Sequence, residues 1–305
     1  MNDRTIPMIR RSAVLMDTLV SSVVVGERLA DAEEAIGRAI KWFNQVEACS
    51  SRFDPRSEVM GLTERVGVPV AVSPMLFEVL GFALAVSAES DGAFDPTVGL
   101  AMERRGFNRN YLTGRRISTR IDSPDRCDYR DVRLDAKRGT VTLRRPLVLD
   151  LGAVAKGFAI DLAARELARY PNLAIDAGGD LFFRGTNTEG EPWRVGIRHP
   201  RRPGDLIETL RVTDTAVCTS GDYERRAEAD GGGHILAAGS GQPADAVASV
   251  TVIAPTAMAA DALGTAAFAL GPARGIALLE RQGVEGVIYS PSLGRSATAG
   301  IARCA

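Results

Sequence analysis

The segment Ala257-Met-Ala-Ala-Asp261-Ala-Leu-Gly-Thr265-Ala-Ala-Phe-Ala-Leu270 is apolar around nearly its whole helical circumference, yet it carries Asp261 and Thr265 four residues apart on one face. A helix of that composition belongs inside the protein. A carboxylate left ionised and alone there is strongly unfavourable, so Asp261 needs a basic group, a set of hydrogen-bond donors or a metal ion. Two oxygen ligands of this kind suit Mg²⁺ or another hard cation better than zinc. The alternative is that Asp261 reaches solvent near the helix start while Thr265 bonds back to its own helix; spacing alone leaves the choice open.

A second candidate is Pro146-Leu-Val-Leu-Asp150-Leu-Gly-Ala153-Val-Ala-Lys156-Gly-Phe-Ala-Ile-Asp161, followed by an amphipathic run from Leu162 to Tyr170. It reads as a strand that ends on an acid, turns through glycines around Lys156 and enters a helix. Such a turn offers backbone groups and a point charge to a phosphate or an anionic cofactor. Neither G-x-G-x-x-G nor G-x-x-x-x-G-K-[ST] is present, and an ordinary strand-to-helix connection with a solvated lysine would look the same. His234, in a glycine-rich loop from Gly231 to Gly241, is the side chain best matched to moving a proton near neutral pH, or else an exposed bystander. The other histidine, His199, falls in Ile-Arg-His-Pro-Arg-Arg-Pro and is expected at the surface. Thr219-Ser220-Gly221 could bind phosphate or simply close a turn, and capping accounts for Asp95, Asp150, Asp176, Asp180 and Asp222 at strand ends.

The elements that must position these groups follow from periodicity and punctuation. A strand is expected over residues 12–25, then a helix from Asp31 to about Ala48, with Ala35, Ile36, Ala39, Ile40, Phe43 and Val46 on its buried face. Ser51 to Glu58 is a loop, Val68 to Val72 a short strand that Pro69 confines to a sheet edge. Ser73-Pro74 opens a second helix. Arg104 to Asp128 is polar, arginine-rich and aperiodic, and is expected as surface loops. Strands follow at 131–134, 140–143, 173–183, 193–197, 206–212 and 216–219, then at 248–254. Thr256 caps the helix over 257–270, Gly271-Pro272 ends it, and a last helix (273–282) and strand (284–289) close the chain. With no repeat and no low-complexity linker, the reading is α+β, mixed or antiparallel sheets with packed helices, in one domain over 1–305, two lobes being left open.

At 305 residues, with 45% hydrophobic and 25% charged content, the composition is that of a globular protein with a large core. A net charge of -1 gives no electrostatic case for nucleic acid. Cys49, Cys127, Cys218 and Cys304 have no metal-type or disulfide-type spacing and read as reduced thiols. Arg10-Arg11 before an apolar run has the outline of a signal peptide, but Asp17 interrupts it and its Val, Ser and Thr content suits a strand. No apolar run is long enough to span a membrane, and a cytoplasmic location is expected.

In order along the chain, these pieces resemble the ApbE family, the FAD:protein FMN transferases. Ser51–Glu58 resembles the family's S-x-[FY]-x-x-x-S-E, Gly92–Gly99 its G-A-F-D-P-T-x-G, and Asp150–Asp161 its D-L-G-x-x-A-K-G-x-x-x-D. Asp176 to Gly185 resembles its G-G-[DN] strand end, Ala216 to Arg225 its T-S-G-x-Y-x-R, and Asp261–Thr265 its D-x-x-x-T. The resemblance implies an ApbE-like, T-fold-like architecture and Mg²⁺-dependent cleavage of FAD, with FMN passed to a threonine or serine of an acceptor protein and AMP released. It implies metal ligation by Asp261, Thr265 and the backbone carbonyl of Ala153. It implies flavin-nucleotide contacts at Met16, Phe53, Ala93, Phe94, Asp95, Asp150 and Lys156, and a base at His234. Three positions depart from the family pattern. Met16-Asp17-Thr18 stands for Met-Gly-Thr, His234-Ile-Leu-Ala-Ala-Gly-Ser-Gly241 for H-x-I-D-P-x-T-G, and Leu62-Thr63 for Leu-Asn. Two other activities stay in view: an FAD hydrolase giving FMN and AMP, and a diverged FAD-binding protein without turnover.

Overall fold

A turn divides the amino-terminal strand expected over 12–25. The computed structural model describes residues 6–121, 127–224, 233–236 and 242–301; Arg225, Gly231, residues 237–241 of the histidine loop and Cys304 lie outside the described residues. In it β1 (Met8–Leu15) and β2 (Thr18–Val25) pair antiparallel, from Met8↔Val25 to Leu15↔Thr18. Met16 and Asp17 make the connection with φ of 50° and 62°. Two consecutive left-handed residues match the twist of the strands they join, and aspartate is among the few side chains that tolerate that region. The β-rich composition on both sides, with no Asn-Gly to punctuate it, hid the turn.

The first helix, α1 (Ala32–Ser50), buries Ala35, Ile36, Ala39, Phe43 and Val46 of the expected stripe and leaves Ile40 half-buried against the core. A short helix not foreseen, α2 (Glu58–Thr63), follows the loop, its first turn capped by Ser57 Oγ, which accepts from the Met60 N–H. The strand β3 (Val70–Ala71) lies at a sheet edge, as Pro69 requires, beside β5. The helix α3 (Pro74–Glu89) starts at Ser73, whose Oγ accepts from Leu76 N–H, and α4 (Gly99–Arg104) is a second unforeseen short helix. The strands β4 (Val132–Asp135) and β5 (Thr140–Leu143) complete a three-stranded sheet in the order β3-β5-β4.

The helix α5 (Gly152–Glu166) leads to the strands β6 (Asn172–Ala177), β7 (Asp180–Arg184), β8 (Trp193–Arg198), β9 (Leu206–Val212), β10 (Thr215–Gly221) and β11 (Ser249–Ala254). The chain then forms α6 (Ala257–Leu270), α7 (Pro272–Arg281), β12 (Glu285–Tyr289) and β13 (Arg295–Ala297). Eight strands form one sheet in the order β1-β2-β6-β7-β10-β11-β12-β13, and all its ladders are antiparallel. On one face Val20, Val24, Ile175, Val250 and Val252 pack with Phe43, Phe158 and Phe268 from the helices. On the other, Val217, Ile253 and Val287 pack with Val195, Ile197 and Leu210 of the β8–β9 hairpin. The two-residue period of a strand sends the adjacent Phe182 and Phe183 of β7 into opposite clusters. No helix of the described residues is long and apolar enough to cross a membrane.

Where α5 crosses α6, a Cβ on Gly157 would stand 2.5 Å from the carbonyl oxygen of Ala257 and 2.6 Å from Met258 Cα. Both are backbone atoms that cannot swing aside. Gly157→Ala is expected to destabilise the fold by about 3 kcal/mol through overpacking, seen as a lower urea midpoint with an unchanged slope.

Candidate functional site

The α5–α6 crossing explains most of the Asp150–Asp161 segment, and in part corrects its reading. Residues 146–149 lie outside the named strands; Val148 makes a parallel bridge to Val98, and Leu147 and Leu149 are buried in the core. Lys156 sits inside α5 rather than in a turn. Its ammonium is ion-paired with Asp180, at the start of β7, and lies 4.0 Å from Asp261 Oδ2. The lysine therefore points into a buried acidic pair: Asp180 is 3% and Asp261 7% exposed. Asp261 stands one helical turn past Ala257, where the helices touch, and Ala153 stands one turn before Gly157 on the same contact. Thr265 is half-buried one turn beyond Asp261, and the Ser220 hydroxyl of β10 abuts Gly264 between them.

Asp161 closes the same motif from the other end. Its two oxygens accept from the N–H groups of Ala257 (2.8 Å) and Met258 (3.0 Å), the first residues of α6. A carboxylate there satisfies orphan helix donors and faces the positive end of the helix dipole. Burial still outweighs these bonds and pushes its carboxyl up to about 6. Since its folded value lies above the ordinary carboxylate value, the proton binds the folded state more tightly. The wild-type protein is thus expected to gain stability over Asp161→Asn as pH falls from 6 to 4, by up to roughly 3 kcal/mol, with a flat difference above pH 7. Chemical unfolding of both proteins across that range measures it. Cys218, fully buried beside this crossing, is pushed well above the usual thiol range by burial and stays protonated.

The donors fit a hard cation. Asp261, Thr265 and the Ala153 carbonyl offer oxygen alone, and the carboxylates of Asp180 and Asp261 flank the Lys156 ammonium. Among the described residues no three His, Cys, Asp or Glu side chains gather as a metal cage, so any ion here draws on hydroxyl and carbonyl oxygens as well.

The residues expected on the flavin side form a second group. The segments around Asp95 and Asp150 run side by side, with Asp150 N–H donating to Pro96 O (2.7 Å) and Gly99 N–H to Val148 O (3.1 Å). Asp150 Oδ2 takes the Nε–H of Arg52 at 2.6 Å, while its Oδ1 accepts from Gly152 N–H at the start of α5. The Arg52 guanidinium also covers the Phe53 ring at 4.1 Å. The carboxylate of Asp95 is taken up locally, by Thr97 N–H and hydroxyl and by Tyr129 N–H, and burial raises it above the usual carboxylate range. Ala93 and Phe94 are buried, Phe94 within the main core. His234 is half-buried with its ring edge-on to Phe107, centroids 6.3 Å apart.

Sequence reasoning missed several groups. Arg52 is 4% exposed and donates Nη2–H to Phe107 O at 2.5 Å. Tyr111 and Asn110 come from the stretch read as aperiodic surface, where only a lone tyrosine hinted at a role. His199 is not at the surface: it is 7% exposed, and its Nδ1 accepts from the N–H groups of Arg201 and Arg202. A proline-arginine composition suggested exposure, but the loop folds over its own histidine.

An antiparallel eight-stranded sheet with helices packed on one face and buried charge where α5 crosses α6 defines an α+β protein. A family model described as the ApbE family matches residues 16–288, and the chain belongs to that family. The FAD:protein FMN transferase of Treponema pallidum is 33% identical over 323 residues, covering 95% of this chain and 87% of the relative. That of Salmonella typhimurium is 30% identical over 292 residues, covering 88% and 80%. The crystal structure of the ApbE protein from Thermotoga maritima superposes with a TM-score of 0.86 at 29% identity, over 98% of this chain and 99% of that one. These relatives place the chain among transferases.

Proposed function

We propose that the protein transfers FMN from FAD to a threonine or serine hydroxyl of an acceptor protein, with release of AMP and a requirement for Mg²⁺. The observation that carries this reading is the buried meeting of Asp261, Lys156 and Asp180, which gathers two carboxylates and an ammonium where α5, α6 and β7 converge. Asp261, Thr265 and the Ala153 carbonyl would hold Mg²⁺, which when bound neutralises pyrophosphate charge. Met16, Phe53, the Ala93–Phe94 backbone, Asp95 and Asp150 hold and orient FAD, with Lys156 adding a positive charge at its phosphates. His234 takes the proton of the acceptor hydroxyl as its oxygen bonds to the FMN-side phosphorus. The pyrophosphate bond breaks, the bridging oxygen leaves with its electron pair on AMP, and the phosphodiester joins FMN to the acceptor. The names of the relatives support the flavin-transfer part of this reading; the metal rests on the oxygen donors of the site, and the acceptor hydroxyl and AMP on the resemblance of the motifs to the family.

The test incubates the protein with FAD, with and without Mg²⁺ and a flavin-acceptor protein, and follows AMP and covalent flavin. Mg²⁺-dependent AMP with flavin on the acceptor is expected. AMP and free FMN in equal amounts whether or not acceptor is present would make it a hydrolase. FAD recovered unchanged in the presence of both would make it a binding protein without turnover.

A further inference from the structure

The stretch from Phe107 to Tyr111 touches four separate groups of the proposed site. The Tyr111 hydroxyl accepts from Met16 N–H (3.0 Å) and donates to Glu47 Oε2 (3.1 Å) on α1. Asn110 Nδ2 donates to the Phe53 carbonyl at 3.3 Å. The Phe107 carbonyl takes the Arg52 guanidinium that also holds Asp150, and the Phe107 ring lies edge-on to His234.

The segment is itself built to hold a shape. Asn110 Oδ1 accepts from the N–H groups of Leu112 and Thr113, Asn110 N–H donates to Arg115 O, and Asn108 is bonded to Ile117 through both its carbonyl and its side chain. Thr119 anchors the returning chain on Glu103 of α4 through N–H and hydroxyl. A compact loop closed by its own bonds can fix what it touches. The contact matters most at Met16, because a methionine at φ 50° sits in a region its side chain disfavours, a strain that an external hydrogen bond to its N–H offsets. Burial raises both the Glu47 carboxyl and the Tyr111 hydroxyl above their usual values, as expected of a sequestered pair.

We propose that Phe107–Tyr111 is the positioning clasp of the transfer site, in which Tyr111 sets the Met16–Asp17 turn that receives the flavin nucleotide and Phe107 sets the ring of His234. This rests on the transferase reading above. The two ends act on different steps. Tyr111 governs FAD binding, while Phe107 governs the proton transfer that follows it.

Tyr111→Phe removes one oxygen and leaves the ring in place. It is expected to raise the FAD dissociation constant about tenfold, with kcat changed far less, and to speed hydrogen exchange of the Met16 amide about tenfold. Phe107→Leu keeps an apolar side chain and is expected to lower kcat about tenfold with FAD affinity within about twofold of wild type. Thermal melting within a few degrees of wild type shows that both variants fold. The Met16 exchange rate is read without FAD, so it tests the clasp independently of the activity. Unchanged exchange and unchanged affinity in Tyr111→Phe would overturn the proposal while the transferase reading stands, as would equal losses of affinity and kcat in Phe107→Leu. A wild-type protein that binds no FAD would overturn the transferase reading and the clasp's role in it together.

Discussion

Asp261→Ala is expected to lower Mg²⁺-dependent AMP release from FAD about 10³-fold while leaving the protein folded. Asp261 is the one carboxylate among the proposed metal ligands, so its loss removes the charge that would retain the ion. Stability should change little. The substitution leaves Lys156 with Asp180, a neutral pair, where the wild-type cluster holds two carboxylates against one lysine. AMP assays beside chemical unfolding of the same preparation separate the two effects. An active Asp261→Ala would remove the metal from the reading, and an unfolded one would show that the carboxylate is structural.

Lys156→Met is expected to cost about 3–5 kcal/mol of stability at neutral pH. Asp180, 4% exposed at its side chain, would lose its ion pair, and Asp261 would lose an ammonium 4.0 Å from its carboxylate. The measurement is urea unfolding of the variant in chelator and in Mg²⁺. Mg²⁺ should restore part of the loss, because an ion bound to the folded state alone stabilises it in proportion to its occupancy. Adding Asp180→Asn should restore stability without the ion. If Mg²⁺ stabilises neither wild type nor Lys156→Met, the cluster is a structural ion pair and no metal centre.

The expected helix over 257–270 was legible to the residue, because Thr256, Gly271 and Pro272 are local signals whose physics needs no partner. So was the buried face of α1, and so was Pro69 placing β3 at an edge. The turn at Met16–Asp17 was not legible, since its left-handed residues are not the usual ones and the flanking strands look continuous. The short helices α2 and α4 span six residues each, too few for a periodic signal.

The sequence by itself determined that the helix over 257–270 would be buried, because an apolar helix dictates its own burial; that Asp261 on it is kept from solvent was decided by the fold. The sequence determined the ordered motifs, and with them the family. Only the tertiary structure decided what the motifs do to one another. Gly157 is there because a second backbone passes within van der Waals contact, Asp161 because α6 needs its donors satisfied, and Lys156 because two carboxylates from distant strands and helices converge on it. The Phe107–Tyr111 loop owes its importance to the same cause. Local pattern fixes which face of an element is apolar, whereas electrostatic and hydrogen-bond partners are set by chain crossings tens of residues apart, which leave no periodic trace.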